Sequence, residues 1–124
     1  MLGVKRRVLL ADDDTAQRRL IGATLGEDNF ELLQAIDGEQ ALRVARDQHP
    51  ELVVIEVNMP RVDGFEVCRQ LKSDATTASI KVIMLTARGG EIDRLHAREA
   101  GADDYFITPF SPVQLLNTVY ALLG

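Results

Sequence analysis

Short, continuous apolar runs separated by helix-forming stretches leave this chain few folds. The runs at 8–11, 52–57, 82–85 and 105–107 lack the polar alternation of a half-solvated strand, so they are expected as strands covered on both faces. A fifth run, 30–35, alternates more and is expected nearer an edge. Between the runs, apolar spacing predicts helices at 16–25, ended by Gly26, at 39–48, ended before Pro50, and at 65–72. Two more are expected at 91–100, ended by Gly101, and at 112–123, with Ser111 as N-cap and Pro112 in the first helical position. Strand and helix thus alternate five times, and the economical arrangement is an α/β fold: a parallel sheet with helices on both faces. The polar stretch 73–79 is expected as a mobile surface loop.

At 124 residues the chain suits a single domain spanning 1–124, either a stand-alone protein or the N-terminal part of a longer one. A formal net charge of -5 argues against direct nucleic-acid binding, which depends on neutralising phosphates with Lys and Arg. The one basic cluster, Lys5-Arg6-Arg7, is expected as a solvated edge. A single cysteine, Cys68, excludes an internal disulfide and a multi-thiolate zinc site, fits a reducing cytoplasm, and is expected to be a small buried residue. No apolar run approaches the roughly 20 residues needed to span a bilayer, so no membrane role is expected.

Ligands in open parallel sheets bind beyond the carboxyl ends of the strands, which directs attention to the residues following each run. Glu56 is a lone carboxylate inside the apolar run 52–57, where an ionised group costs several kcal/mol or more unless it is paired, hydrogen-bonded or metal-bound. The first run is followed by Asp12-Asp13-Asp14, the fourth by Thr86-Ala87 and the fifth by Thr108-Pro109-Phe110. Each of these alone suits an ordinary helix cap or approach. Together they place carboxylates from the first and third strands in one crevice. No GxxxxGK or GxGxxG loop accompanies them, and no base and nucleophile pair, so a binding module rather than an enzyme is expected. The two histidines, His49 and His96, are too far apart in the chain to suggest a metal pair.

Asp12-Asp13, the run VVIEVNMPRVDG (53–64), Leu85-Thr86-Ala87 and the run GADDYFITPFSP (101–112) together resemble the receiver domain of two-component response regulators, over essentially the whole chain. The resemblance implies a flavodoxin-like (βα)5 fold with strand order 2-1-3-4-5. It further implies that the Glu56 position is that of an aspartate phosphorylated by a histidine kinase. Acidic residues such as Asp12 and Asp13, with the Asn58 backbone carbonyl, would then hold Mg²⁺. Thr86 and the Thr108 position, a lysine in the family, would contact the phosphoryl group, and Tyr105 would change rotamer on activation. The Thr108-Pro109 bond is implied to be cis.

Two departures from that pattern fall on its chemistry. Glu56 stands in place of the phosphoacceptor aspartate and Thr108 in place of the lysine. Phosphoryl transfer is catalysed by positioning and electrostatics, so an atypical pseudo-receiver acting by protein–protein interaction is expected. Without the lysine, Asp12, Asp13 and Glu56 would crowd one crevice, and a weakly held Mg²⁺, Arg88 or a proton must compensate. The alternative is a receiver still phosphorylated weakly, or one locked active by Glu56 acting as a phosphoryl mimic. The last helix carries no charge from Ser111 to Gly124, and its apolar arc is wider than packing on one sheet requires. That leaves two readings, a dimer interface through the fourth helix, fifth strand and fifth helix, or a core covered by further chain. A histidine kinase or an output domain is the expected partner.

Overall fold

Aspartate starts three of the five helices. In this computed structural model, which describes residues 5–87 and 89–124, the side chains of Asp14, Asp37 and Asp63 each accept hydrogen bonds from backbone N–H groups of the first turn. Those donors have no partner inside a helix, so the carboxylates fix where α1 (Thr15–Leu25), α2 (Gly38–Gln48) and α3 (Gly64–Ser73) begin. Helix α4 (Glu91–Ala100) starts after Gly90 without a side-chain cap, and α5 (Pro112–Leu123) is capped by Ser111. Helix α4 ends at Gly101, whose φ of 94° is left-handed and favours glycine.

The strands β1 (Arg6–Ala11), β2 (Phe30–Ala35), β3 (Leu52–Glu56), β4 (Lys81–Thr86) and β5 (Asp104–Ile107) form one parallel sheet in the order 2-1-3-4-5. Their alternation of faces sorts the core into two layers. Leu9, Ala11, Val53, Ile55, Val82 and Met84 face α2, α3 and α4. Val8, Leu10, Leu52, Val54, Ile83 and Leu85 face α1 and α5, where Ile21, Leu25, Leu115 and Val119 meet them. The flavodoxin-like architecture expected for the chain is the one it adopts.

Two expectations are corrected. The run 105–107 is covered only in part: β5 is an edge strand paired with β4, Tyr105 and Phe106 pack partly buried against the two opposite core layers, and Ile107 is exposed. An apolar run does not distinguish a central strand from a partly covered edge strand. The stretch 73–79 is a tied turn rather than a loose loop. Thr77 is fully buried, and its hydroxyl donates to the Leu71 carbonyl at 2.7 Å, one of the carbonyls left open at the end of α3. Lys72 Nζ donates to the Ile80 carbonyl at 2.7 Å and pairs with Asp103 at 3.0 Å, closing the same turn onto the start of β5.

The loop after β3 is held just as firmly. Gly38 approaches it so closely that a Cβ there would lie 1.8 Å from the Val62 carbonyl oxygen. Arg61, left-handed at φ 71°, sends its guanidinium to Asp37 at 3.5 Å and Glu39 at 3.6 Å. The chain leaving Glu56 is thereby fastened to the start of α2.

Candidate functional site at the carboxyl ends of the strands

Parallel pairing brings the strand ends together. Ala11 lies opposite Ile55, Glu56 opposite Leu85, and Thr86 opposite Ile107, so Asp12, Glu56, Thr86 and Thr108 all emerge on one rim. The reversal of strand order between β1 and β3 opens a crevice there. Asp12 and Thr86 are buried, at 2% and 1% exposure, while Asp13 is exposed. The Asp run therefore divides its work: Asp14 caps α1, Asp13 faces solvent, and Asp12 turns inward.

Both oxygens of the Asp12 carboxylate are engaged. Oδ1 accepts the Asp14 N–H at 2.8 Å, and Oδ2 accepts a short hydrogen bond from the Gln17 side-chain amide. The Asp12 carbonyl oxygen accepts from Arg18 at 2.7 Å, and the same guanidinium donates to Gln34 at 2.8 Å. Glu56 is less well provided for: its Oε2 is buried with no hydrogen-bond partner among the described residues. No lysine or arginine among the described residues forms an ion pair with either carboxylate. Burial, then the Asp12 charge, push the Glu56 carboxyl up to about 7, with the Gln17 amide and the Asn58 backbone N–H pulling it partly back. Burial likewise raises Asp12 above the usual carboxylate range, against the lowering effect of its two hydrogen bonds. A proton on Glu56 is thus one means of relieving the crowded charge.

Arg88, another of the compensating groups considered, lies outside the described residues. Oxygen donors are the right chemistry for Mg²⁺. However, among the described residues no three acidic, histidine or cysteine side chains are placed together to hold a metal ion, and each oxygen of Asp12 already accepts a hydrogen bond. As arranged, Asp12, Asp13, Glu56 and Asn58 do not fit a divalent cation.

At the far side of the rim, the Thr108 N–H donates to the Thr86 carbonyl at 2.8 Å, and the Thr108-Pro109 bond is cis. Tyr105 is partly buried against α4, with the Arg94 guanidinium 5.7 Å from the centre of its ring. Cys68 is fully buried, its S–H directed at the Ala100 carbonyl and its pKa pushed up to about 12 by burial. His96 lies edge-on to Phe65, well away from His49 at the end of α2. Gln17 and Arg18 are the site residues that sequence reasoning missed. The available signal was the spacing Asp14-x-x-Gln17, which puts a glutamine where side chains reach back over a helix start.

Comparison with known proteins gives this geometry a family. The "Probable transcriptional regulator ycf27" of Cyanophora paradoxa is 41% identical over 119 residues, covering 96% of this chain and 48% of that protein. The "DNA-binding dual master transcriptional regulator RpaA" of Synechocystis is 39% identical, covering 94% of this chain and 48% of that protein. This chain therefore spans about half the length of these curated relatives. Among solved structures, a putative response regulator from Chloroflexus aurantiacus superposes with a TM-score of 0.91 at 29% identity, covering 97% of this chain and 98% of that one. The receiver domain of DrrB, described as BeF3 activated, does so with a TM-score of 0.88 at 30% identity, covering 97% and 98%. Residues 8–120 match the response regulator receiver domain, and the chain belongs to that family.

Proposed function

We propose that this receiver domain signals by protein–protein interaction without phosphorylation of its β3 carboxylate. The observation that carries the proposal is the crevice itself. Glu56 sits there beside Asp12 with a buried oxygen that has no partner among the described residues, and the rim position that the family fills with lysine holds Thr108. A phosphoryl group arriving at such a site would add negative charge where burial already disfavours it. A permanent mimic is the weaker reading, because imitating a phosphoryl group requires a charged carboxylate, whereas burial favours the neutral form of Glu56. Beryllofluoride with Mg²⁺ provides the test. The backbone amide resonances of Thr86 and Tyr105 are expected not to move in the natural protein, and saturable shifts at both would overturn the proposal.

The partner surface we propose lies across α4, β5 and α5. Ile92 is 71% exposed and Val113 68%, with Leu95 and Ile107 exposed between them. Separate exposed apolar residues are common; four on adjoining elements beside an edge strand support an interface. A homodimer through this face is expected in sedimentation at high concentration, and Ile92→Glu is expected to weaken it at least tenfold. A monomer throughout the concentration range would remove this part of the proposal. A histidine kinase and an output domain are further proposed partners, the second supported by relatives about twice this chain's length. The net charge of -5 supports leaving any nucleic-acid contact to such an output domain. No helix among the described residues is long and apolar enough to cross a membrane, and a cytoplasmic location is proposed.

A further inference from the structure

Three helices in this protein open with aspartate followed three residues later by glutamine or glutamate: Asp14 and Gln17, Asp37 and Gln40, Asp63 and Glu66. In that pattern the third-position side chain normally reaches back to an open backbone donor at the helix start. Gln40 behaves this way, its Oε1 accepting the Ile36 N–H at 2.8 Å. Gln17 does not. The Asp14 N–H is already taken by Asp12 Oδ1 at 2.8 Å, and the Gln17 amide is turned into the crevice, where it donates to Asp12 Oδ2. The same amide lies close enough to Glu56 to favour its charged form. A neutral group with two N–H donors thus serves both the buried carboxylate that follows β1 and the partly buried one that ends β3, where a cation touching both would have to compete with it.

We propose that Gln17 is a plug that keeps divalent cations out of the crevice. Asp12 is held back from a metal because the Gln17 amide engages Oδ2 while the Asp14 N–H engages Oδ1, so a cation approaching Oδ2 must displace the amide. Shortening residue 17 frees one oxygen and the space in front of it. Hard oxygen donors at that point suit Mn²⁺ or Mg²⁺. The inference rests on the same crevice as the function proposed above, but its readout is separate: an unchanged Mn²⁺ affinity would overturn the plug and leave that proposal standing.

The test is titration with Mn²⁺, with free ion read by electron paramagnetic resonance, on the natural protein, Gln17→Ala and Gln17→Met. Methionine retains the chain length but lacks the amide, so it removes the hydrogen bond to Asp12 without shortening residue 17 and carries the test if the alanine variant fails to fold. Both variants are expected to bind Mn²⁺ at least tenfold more tightly than the natural protein. Adding Asp12→Asn to either is expected to abolish the gain, which ties the ion to this crevice rather than to surface carboxylates. Affinities within twofold of the natural protein for the folded variants, or a gain that survives Asp12→Asn, would overturn the plug.

Discussion

Glu56→Gln is expected to stabilise the folded protein by about 2 to 3 kcal/mol near pH 8, and by less than about 1 kcal/mol near pH 5. The carboxyl is raised from 4.5 to about 7 by burial and by Asp12, so the folded protein holds a proton that the unfolded chain has released. Below 4.5 both states are protonated and the natural residue carries no penalty. As pH rises from 4.5 through about 7 the folded state becomes progressively less favourable, and above that the full penalty applies. The shift corresponds to somewhat over 3 kcal/mol, reduced here because Glu56 is not wholly withdrawn from solvent. Glutamine preserves the shape, cannot ionise and offers donors to a neighbouring carboxylate. Urea unfolding of both proteins in metal-free buffer at the two pH values checks this. An equal difference at both would place the origin of the effect outside the titration of Glu56.

The second large effect is a gain of chemistry. Glu56→Asp combined with Thr108→Lys is expected to raise the rate of phosphoryl transfer from a small-molecule donor at saturating Mg²⁺ by at least about 100-fold over the natural protein. Glutamate carries its oxygens one methylene further from β3, and displacing a reacting atom by about 1 Å costs on the order of 100-fold. Thr108 stands on the rim beside Thr86 but brings no charge to an anion forming there. Each single variant is expected to recover only part of the rate, because position and charge act on the same transition state. Gln17→Ala in the same background is expected to lower the Mg²⁺ concentration at which the rate is half-maximal, leaving the saturated rate unchanged. Full recovery from Thr108→Lys alone would show that the extra methylene of Glu56 does not matter.

Most of the fold was legible because burial on both faces leaves a direct trace in the chain. The runs at 8–11, 52–57 and 82–85 contain too little polar surface to be anything but central strands, and they are central. The same rule overstated the cover of β5, where Tyr105 and Phe106 pack partly buried on opposite layers while Ile107, at the edge, is exposed. Thr77 was hidden for a different reason. A threonine among small polar residues is expected at a solvated turn, and only the structure reveals its hydroxyl closing the end of α3. At the site, Asp12, Glu56, Thr86 and Thr108 were legible because they follow apolar runs. Gln17 was not, because it is neutral and lies in the first turn of a helix, where a polar residue needs no explanation. Its role depends on the direction of one amide, which spacing alone does not determine.

The measurement closest to the central claim is intact mass after incubation with a small-molecule phosphodonor and Mg²⁺, with the Glu56→Asp, Thr108→Lys double variant alongside. The account predicts no phosphoryl adduct on the natural protein and a clear one on the double variant, as befits a receiver scaffold whose transfer chemistry has been removed. A stoichiometric adduct on the natural protein would contradict it, for the switch would then operate with Glu56 and Thr108 in place.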